Sequence, residues 1–302
     1  MYGVGGIGGF LGSYLTKLDI DITFIARGDR FGHLLSKGLI LKSKLGNKIA
    51  NKLDVREDIE RGERFDIIII TVKLYDFDDV IKNIKEKIVG DFVILPFQNG
   101  IYSEELIKRE IGVEKVCGAV AQISAFINND QNIEHVGKLA TFFVGPYEGL
   151  KNNFLKSFCE TSQSAGLDLR FTNNIKEKIW QKFIFLSAYS GITTLTENSI
   201  GQIFSNKRSE QKFIGAMEET YKLSKLYGVK FKRNPVSFWL EKIAKMPPEM
   251  TSSMFMDFKK QKQLELEWLS GFIISHSSKK GFKPRYHQEI VAGIKAKLTS
   301  LN

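Results

Sequence analysis

The sequence has few cysteines, and it lacks the long apolar runs of a membrane protein. Cys117 and Cys159, the two cysteines among 302 residues, lie far apart and match neither a C-x-x-C pair nor a metal-site spacing. The longest apolar run, IIIITV at 67–72, has only the length of a strand. Because no basic and then apolar leader begins the chain, we expect no secretory signal. These absences predict a cytoplasmic protein with reduced thiols, no metal site and no membrane association.

Positive charge is concentrated in the C-terminal part, but no nucleic-acid motif accompanies it. The formal net charge is +10, and from Thr172 onward the chain has 22 Lys and Arg residues against 11 Asp and Glu residues. The lysines are scattered, without an Arg-Gly-Gly run, a zinc pattern or an RNP-like aromatic motif. We therefore expect a solvated surface that helps to capture an anionic small molecule, and no nucleic-acid partner.

Residues 1–171 alternate strand-like and helix-like segments. FDIIIITVK is a continuous apolar run, typical of a strand that is buried on both faces of a parallel sheet. A later strand over 138–149 is expected to be antiparallel. The parallel strands are predicted at 21–27, 65–73, 91–100 and 114–120. Strands that alternate with helices in this way predict an α/β fold that begins with an N-terminal Rossmann-type, doubly wound domain.

The pattern changes to helices near residue 173. Ile175, Ile179 and Phe183 recur at helical spacing. Further helices are predicted around 209–227, 251–280 and 286–301, with Pro235, Pro247 and Pro248 in the gaps between helices. The sequence therefore predicts two domains, a dinucleotide-binding Rossmann domain over 1–171 and an all-helical C-terminal domain over 172–302.

The chain begins MYGVGGIGGF, in which Gly3, Gly5 and Gly8 form the pattern G-x-G-x-x-G. Together with Gly6, these glycines predict a tight turn that lays a pyrophosphate on the N-terminus of a helix. Glycine-rich loops are common, so an ordinary loop is the alternative interpretation. The apolar helix that follows at once favours the dinucleotide turn, with these four glycines as cofactor-binding residues.

Arg27 stands at the end of the second predicted strand, where the residue that reads the cofactor ribose is expected, about 20 residues beyond the glycines. An NAD site would have Asp or Glu there. A guanidinium instead matches a phosphate, so the 2′-phosphate of NADP is the better partner for Arg27. An exposed arginine at a strand end is the alternative interpretation.

Polar residues also follow the next two strands. Lys73 ends one strand and Asn99 follows another, and ligands of open α/β sheets bind beyond the carboxyl ends of the strands. We therefore predict that Lys73 and Asn99 meet the cofactor or the substrate. Ser124, just beyond the fourth strand, is added to the predicted cofactor-binding residues. Each of these side chains taken alone could be an ordinary loop residue.

With these motifs in place, the chain resembles the ketopantoate reductase family over nearly its whole length. The matching segments, in chain order, are GVGGIGGFLG, ARGDR, TVKLYD, QNG, HVGKLATFFVGP, IWQKFIFLSAYSGITTL and SSMFMDFKKQKQLELEWLSGF. The resemblance implies a Rossmann domain paired with a helical domain. It also implies NADPH-dependent reduction of a 2-keto acid to the 2-hydroxy acid. Ketopantoate is the first candidate, and its reduction would yield pantoate for pantothenate synthesis.

The resemblance assigns the catalytic roles to Lys182 and Glu265. Hydride delivery to a ketone builds negative charge on oxygen, which the Lys182 ammonium would stabilise and then protonate. Glu265 would orient Lys182 and hydrogen-bond to substrate or cofactor, with Glu267 as the competing choice. For each of these residues, an ordinary position on a helix surface is the alternative interpretation.

The resemblance also implies where the substrate is held. Ser253, next to Ser252, resembles a serine that meets the substrate carboxylate. The family pattern has asparagines four and eight positions after the lysine, and here Leu186 and Ser190 stand there. Ser190 can still hydrogen-bond to the substrate, whereas Leu186 cannot, so one specific hydrogen bond is missing.

This departure leaves two other functions open. One is the reduction of a different branched 2-keto acid by a D-2-hydroxy-acid dehydrogenase. The other is a non-catalytic NADP-binding protein, suggested by the altered substrate positions and by the short segment before the glycine turn.

A homodimer would be supported if Trp239, Phe255 and Trp268 were exposed, but packing of these rings in the core is the competing expectation.

Only Met1 and Tyr2 precede the glycine turn, where a buried strand should stand. Similar proteins have about four more residues there, enough to seat the central strand of a parallel sheet. We expect that Met1 is either a misplaced start or a true truncation. In both cases the first strand would be short and the turn weakly held at its leading end.

Overall fold

The computed structural model of this chain describes residues 1–148 and 153–301, which form two compact units. The first unit comprises Met1–Gln98 and Ser103–Ile175, and the second comprises Asn99–Tyr102 and Lys176–Asn302. Within the described ranges, no helix is long and apolar enough to cross a membrane. The short segment Asn99–Tyr102, which follows the first 98 residues in sequence, therefore groups with the helical residues.

In its described residues, the first unit contains nine strands and five α-helices. The strands are β1 (Thr23–Ile25), β2 (Leu39–Ser43), β3 (Lys48–Ala50), β4 (Asp54–Arg56), β5 (Ile67–Ile70), β6 (Val93–Pro96), β7 (Cys117–Ile127), β8 (Ile133–Pro146) and β9 (Leu169–Phe171). The helices are α1 (Gly6–Leu15), α2 (Gly28–Lys37), α3 (Phe77–Lys87), α4 (Tyr102–Glu110) and α5 (Asn153–Ser164).

A parallel sheet with helical crossovers confirms the predicted Rossmann-type fold. β1 pairs with β4 and β5 pairs with β6, both in parallel. Tyr2 forms parallel bridges to both Ile25 and Ile70 and so joins the two pairs. The apolar run at β5 is largely buried, as a central parallel strand requires.

A second sheet, in the order β3-β2-β8-β7 with β9 beside β8, lies in the same unit. β8 is antiparallel to β7, as predicted for the later strand, but it is parallel to β2 and β9. It begins at Ile133 rather than at 138. The predicted end of that strand, at 149, lies outside the described residues. The sequence interpretation missed β2, β3, β4 and β9, because strands of three to five residues show too little alternation to be recognised.

The second unit is helical, as predicted. Its helices are α6 (Ile175–Thr196), α7 (Ile200–Ser205), α8 (Lys207–Leu226), α9 (Pro235–Ile243), α10 (Ser253–Lys259), α11 (Phe272–Lys279) and α12 (Arg285–Leu301). Pro235 does not lie in a gap between helices. It is the first residue of α9, and the Asn234 side chain caps that helix by accepting from the backbone N–H groups of Val236 and Ser237.

The prediction of one helix over 251–280 is wrong. α10 ends at Lys259, and Gln261 then adopts a positive φ of 51°, which no continuing helix allows. The helical path resumes near Leu266 with a π-helical turn over Glu267–Gly271, followed by α11. The break falls in the run KKQKQ, which has no apolar side chain to bury and so gives the helix no packing support.

A chain of buried polar side chains ties this unit together. The Thr220 hydroxyl oxygen on α8 lies 2.9 Å from both Ser187 Oγ on α6 and His287 Nε2 on α12. The other ring nitrogen of His287 lies 3.2 Å from Ser270 Oγ in the π-helical turn. Since Nε2 also contacts the Ala216 carbonyl oxygen at 3.0 Å, this nitrogen carries the proton. Burial lowers the pKa of His287 to about 4, so the ring is neutral.

Candidate functional site

The glycine turn lies directly after the Tyr2 bridge, where the backbone is held tightly. Gly3 has a φ of +87° and donates its N–H to the Ile25 carbonyl oxygen at 3.0 Å. A Cβ on Gly3 would lie 2.9 Å from the Val72 nitrogen, and one on Gly8 would lie 2.2 Å from the Gly3 carbonyl oxygen. Both positions therefore require glycine, because any side chain would collide with backbone atoms.

The start of α1 leaves space where a ligand could approach. Gly5 is the N-cap of α1 and, as a glycine, provides no side chain to cap the first backbone N–H groups. A Cβ on Gly6 would lie 2.1 Å from the Ala125 carbonyl oxygen of β7, whereas a Cβ on Gly5 would have no atom within 4 Å. The turn therefore packs closely on the protein side and is open at Gly5. Helix N–H groups without a cap and an open approach fit the pyrophosphate of a dinucleotide.

Met1 and Tyr2 connect the turn to the sheet on both sides. Ile25 N–H donates to the Met1 carbonyl oxygen, and Thr71 N–H donates to the Tyr2 carbonyl oxygen, both at 2.8 Å. The Thr71 hydroxyl also donates to the Gly3 carbonyl oxygen at 2.7 Å. The strand is as short as expected, since it amounts to one bridging residue. These hydrogen bonds fix the leading end of the turn to the strand regions on both sides.

Arg27 follows β1 and is the N-cap residue of α2, with an exposed side chain. Its positive charge lies close enough to Asp76 and Tyr2 to affect their ionisation. Burial raises the pKa of Asp76, and the Arg27 charge opposes that shift. Arg27 and Asp76 are therefore neighbours at the edge of the parallel sheet. Lys73 is half-buried and immediately precedes the short 3₁₀ turn Leu74–Asp76, which contains Asp76.

Arg30 is a structural residue that the sequence interpretation did not single out. Its Nε donates to the Val4 carbonyl oxygen at 2.8 Å, and its Nη1 donates to the Gln131 carbonyl oxygen at 2.5 Å. It therefore fastens the glycine turn to the β7–β8 connection. Burial lowers the pKa of Arg30 to about 10. Apart from its place in ARGDR, the sequence carries no signal for this role.

Ser124 lies on β7 at the point where the pairing with β8 shifts, between Ile123 and Ala125. Its side chain is exposed, and the next residue, Ala125, is the one against which Gly6 packs. Ser124 is therefore the immediate neighbour in sequence of the residue that packs against the start of α1. A β-bulge of this kind redirects side chains beside binding sites.

In the helical unit, the side chains of Lys182 and Asn99 are joined directly. Lys182 Nζ, on α6, donates to Asn99 Oδ1 at 2.9 Å. The turn that carries Asn99 includes Gly100, which has a φ of +88° and whose Cβ would lie 3.4 Å from the Leu269 side chain and 3.5 Å from that of Phe183. This turn therefore packs against α6 and the π-helical turn, and both polar side chains are half-buried.

The two candidate glutamates have different environments. Glu265 lies just before the π-helical turn and is buried, with 7% of its surface exposed. Glu267 is exposed, and its carboxylate pairs with Lys295 Nζ at 2.6 Å. π-Helical turns occur often at functional sites. The burial of Glu265 favours it over Glu267 as the carboxylate with a specific role.

The candidate substrate serines lie around one end of α6. Ser252 is the N-cap of α10, where its Oγ accepts from Phe255 N–H at 3.1 Å and lies 2.6 Å from Thr193 Oγ1 of α6. Ser253, which begins α10, is exposed, and Ser190 on α6 is buried with 2% of its surface exposed. Ser252 therefore has a structural role, which leaves Ser253 as the serine at this turn that can meet a ligand.

Aromatic rings stack beside Lys182 on the same helix. Phe185 lies between Tyr189, at a centroid distance of 4.9 Å, and Trp239 of α9, at 4.4 Å. Phe255 is buried, and Trp239 and Trp268 are half-buried. Trp239 and Phe255 therefore pack within the unit, as the core alternative expected. Among the described residues, no group of His, Cys, Asp and Glu side chains is arranged to hold a metal ion.

Both units match one protein family. Residues 1–149 match "Ketopantoate reductase PanE/ApbA", and residues 174–298 match "Ketopantoate reductase PanE/ApbA C terminal". The chain is 30% identical over 275 residues to a 2-dehydropantoate 2-reductase of Pyrococcus horikoshii, covering 91% of this chain and 89% of that protein.

Two solved structures of proteins with different names share the fold of this chain. One is a 2-dehydropantoate 2-reductase of Geobacter metallireducens, with 19% identity, a TM-score of 0.87 and coverage of 98% of each chain. The other is a D-mandelate dehydrogenase solved with NADH and anilino(oxo)acetate, with 18% identity, a TM-score of 0.87 and coverage of 100% of this chain and 99% of that one. At these identities the structures establish the fold alone. The chain belongs to the ketopantoate reductase family, a family of oxidoreductases that act on CH–OH groups with a nicotinamide cofactor.

Proposed function

We propose that this protein is an NADPH-dependent reductase of a 2-keto acid, with ketopantoate as the first candidate substrate and pantoate as its product. One observation carries the proposal. The Lys182 ammonium donates a hydrogen bond to the Asn99 carboxamide at 2.9 Å, in a half-buried setting. A positioned ammonium is the group that a ketone needs when its oxygen gains negative charge.

The first unit would hold the cofactor. The N–H groups at the start of α1 would bind the pyrophosphate, because Gly5 leaves room there and Gly3, Gly6 and Gly8 allow close packing. Arg27 would bind the 2′-phosphate, since an exposed guanidinium can form two parallel hydrogen bonds with it. Lys73 and Ser124 complete the proposed cofactor residues. When bound, the nicotinamide supplies the hydride.

The second unit would hold and protonate the substrate. Lys182 would hydrogen-bond to the keto oxygen and transfer a proton to it as the alcohol forms. Asn99 would keep the ammonium in place through its Oδ1 atom, and its amide N–H groups could donate to cofactor or substrate. Buried Glu265 would help to orient Lys182, and Ser190 and Ser253 would bind the acid.

Leu186 bears on the identity of the keto acid. A leucine one turn after Lys182 favours an apolar group of the substrate over a hydroxyl at that position. The fold also occurs in a D-mandelate dehydrogenase. A second candidate function is therefore reduction of a different branched or aromatic 2-keto acid, with the same roles for Lys182 and Asn99.

The test is NADPH oxidation with a panel of 2-keto acids, using the wild type, Lys182→Ala and the matched control Lys178→Ala on the same helix. We expect turnover by the wild type and by the control, and a loss of about 100-fold or more in kcat for Lys182→Ala. Equal turnover by wild type and Lys182→Ala would remove Lys182 from the mechanism.

The same panel decides between the candidates. Comparison of kcat/KM for ketopantoate, 2-ketoisovalerate and benzoylformate gives the specificity ratio directly. Calorimetry measures the binding of NADPH and NADH in parallel. Binding of NADPH without turnover of any acid would favour a non-catalytic nucleotide-binding protein.

A further inference from the structure

Tyr189 on α6 carries a buried phenol whose hydroxyl is unpaired. Only 7% of the residue surface is exposed, and among the residues that the structure describes no group hydrogen-bonds to this oxygen. An unpaired buried hydroxyl destabilises a protein, so such groups are rare and need a reason. A ligand that supplies the missing partner is one such reason.

The ring of Tyr189 is held rigidly by the stack that it shares with Phe185 and Trp239. Both neighbouring pairs of rings are nearly parallel, with interplanar angles of 18°. Trp239 is itself fixed, because its Nε1 donates to the Gln181 carbonyl oxygen at 2.5 Å. The hydroxyl of Tyr189 is therefore pre-positioned, and little entropy would be lost when it binds a ligand.

Tyr189 also lies between Lys182, which is proposed to contact the substrate, and Thr193 on the same helix. It follows Lys182 by seven positions and precedes Thr193 by four, so helical periodicity places all three on one face of α6. At one end of this face Lys182 bonds to Asn99, and at the other Thr193 contacts Ser252. Side chains on a helix lean toward its N-terminus, so the Tyr189 hydroxyl extends toward the Lys182 end.

The chemistry of the hydroxyl identifies its partner. Burial raises the pKa of the Tyr189 phenol well above its usual range, so the group stays protonated and can donate. A 2-keto acid offers two kinds of acceptor, the keto oxygen and the carboxylate, and Lys182 is proposed for the first. We propose that the Tyr189 hydroxyl donates a hydrogen bond to the substrate carboxylate. This inference rests on the proposed function.

The test compares Tyr189→Phe with the wild type and with Tyr221→Phe, a hydroxyl deletion on α8 in the same unit. The substrates are ketopantoate and 3,3-dimethyl-2-oxobutanoate, which differ only in the terminal hydroxyl. Binding of oxamate, an unreactive carboxylate, is measured by calorimetry with NADP⁺ present. We expect KM for both acids and Kd for oxamate to rise about 10- to 100-fold in Tyr189→Phe alone. The melting temperature should be unchanged or higher, since the stacked ring is kept.

Three results would overturn the assignment. Unchanged constants in Tyr189→Phe would show that the hydroxyl touches no substrate. A loss confined to ketopantoate would assign the hydroxyl to the terminal alcohol instead of the carboxylate. If the wild type turns over neither acid, the proposed function fails, and the oxamate measurement still tests Tyr189. Equal oxamate affinity in wild type and variant, or no binding by either, then overturns the inference.

Discussion

Lys182 and Asn99 are 83 positions apart in the chain, yet their side chains share a hydrogen bond. The ammonium donates to Oδ1, and the amide N–H groups of Asn99 remain donors for other partners. The pairing exists because Gly100 turns the chain after β6 and packs beside Phe183 and Leu269. The position of Lys182 therefore depends on a turn that belongs, in sequence, to the other half of the protein.

Replacement of Asn99 by Asp should change the pH dependence of reduction. A carboxylate at this distance favours the charged form of Lys182 and so raises its pKa. Since reduction needs the protonated amine, the fall in kcat/KM at alkaline pH should move to higher pH. Asn198→Asp in the same unit is the control and should leave the profile unchanged. An alkaline limb that stays in place for Asn99→Asp would show that the side chains do not interact in the working enzyme.

The glycine turn allows a test that separates folding from cofactor binding. Gly5→Ala places a Cβ where no protein atom lies within 4 Å, so we expect an unchanged melting temperature and at least about tenfold weaker NADPH binding. Gly8→Ala places a Cβ 2.2 Å from the Gly3 carbonyl oxygen and should lower the melting temperature. Calorimetry and thermal unfolding check both results. Wild-type affinity in Gly5→Ala would argue that no pyrophosphate lies at this helix end.

Arg27→Ala should reduce the preference for NADPH. Loss of a charge-assisted contact to the 2′-phosphate costs about 1.5–3 kcal/mol, which corresponds to a rise of about 10- to 100-fold in the KM for NADPH. The KM for NADH should hardly change, because NADH has no phosphate at that position. Arg61→Ala, which removes an exposed arginine elsewhere in the first unit, is the control. Parallel losses with both cofactors would contradict the assigned contact.

Glu265→Gln and Glu267→Gln should have unequal effects on catalysis. The first change alters a buried carboxylate, and we expect kcat to fall at least about tenfold. The second removes an exposed ion pair with Lys295, which contributes about 0–1 kcal/mol to stability and nothing to turnover. Steady-state kinetics with the best 2-keto acid measure kcat for both variants and the wild type. A larger kcat loss in Glu267→Gln would reverse the assignment.

His287 should make the stability of the protein depend on pH below neutrality. Its pKa is about 4 in the folded state and near 6.5 in the unfolded state, so the unfolded state binds the extra proton between these values. This contribution is fully present above pH 6.5 and is lost as the pH falls to about 4. The full loss is on the order of 3 kcal/mol. Urea unfolding between pH 4 and 7 measures it, and His287→Asn should show a shallower slope. An equal slope in the variant would mean that other groups cause the dependence.

The sequence alone was sufficient for the fold class and for the helical character of the second unit. The run at β5 and the spacing of Ile175, Ile179 and Phe183 are local patterns, and local patterns carry the periodicity of strands and helices. The glycine spacing likewise predicts the start of α1, because Gly3 and Gly8 occupy positions that exclude any side chain. Residue types and spacings of this kind are readable without coordinates.

Other features were decided by tertiary structure. The break after α10, the π-helical turn and the difference between Glu265 and Glu267 depend on packing partners that are distant in sequence. The same is true of Arg30, which bonds to backbone atoms on two separate loops, and of Tyr189, whose hydroxyl lacks a partner only in the folded chain. Periodicity and composition indicate which secondary structure and which degree of burial each residue favours. Which side chains meet is set by the non-local contacts that folding creates.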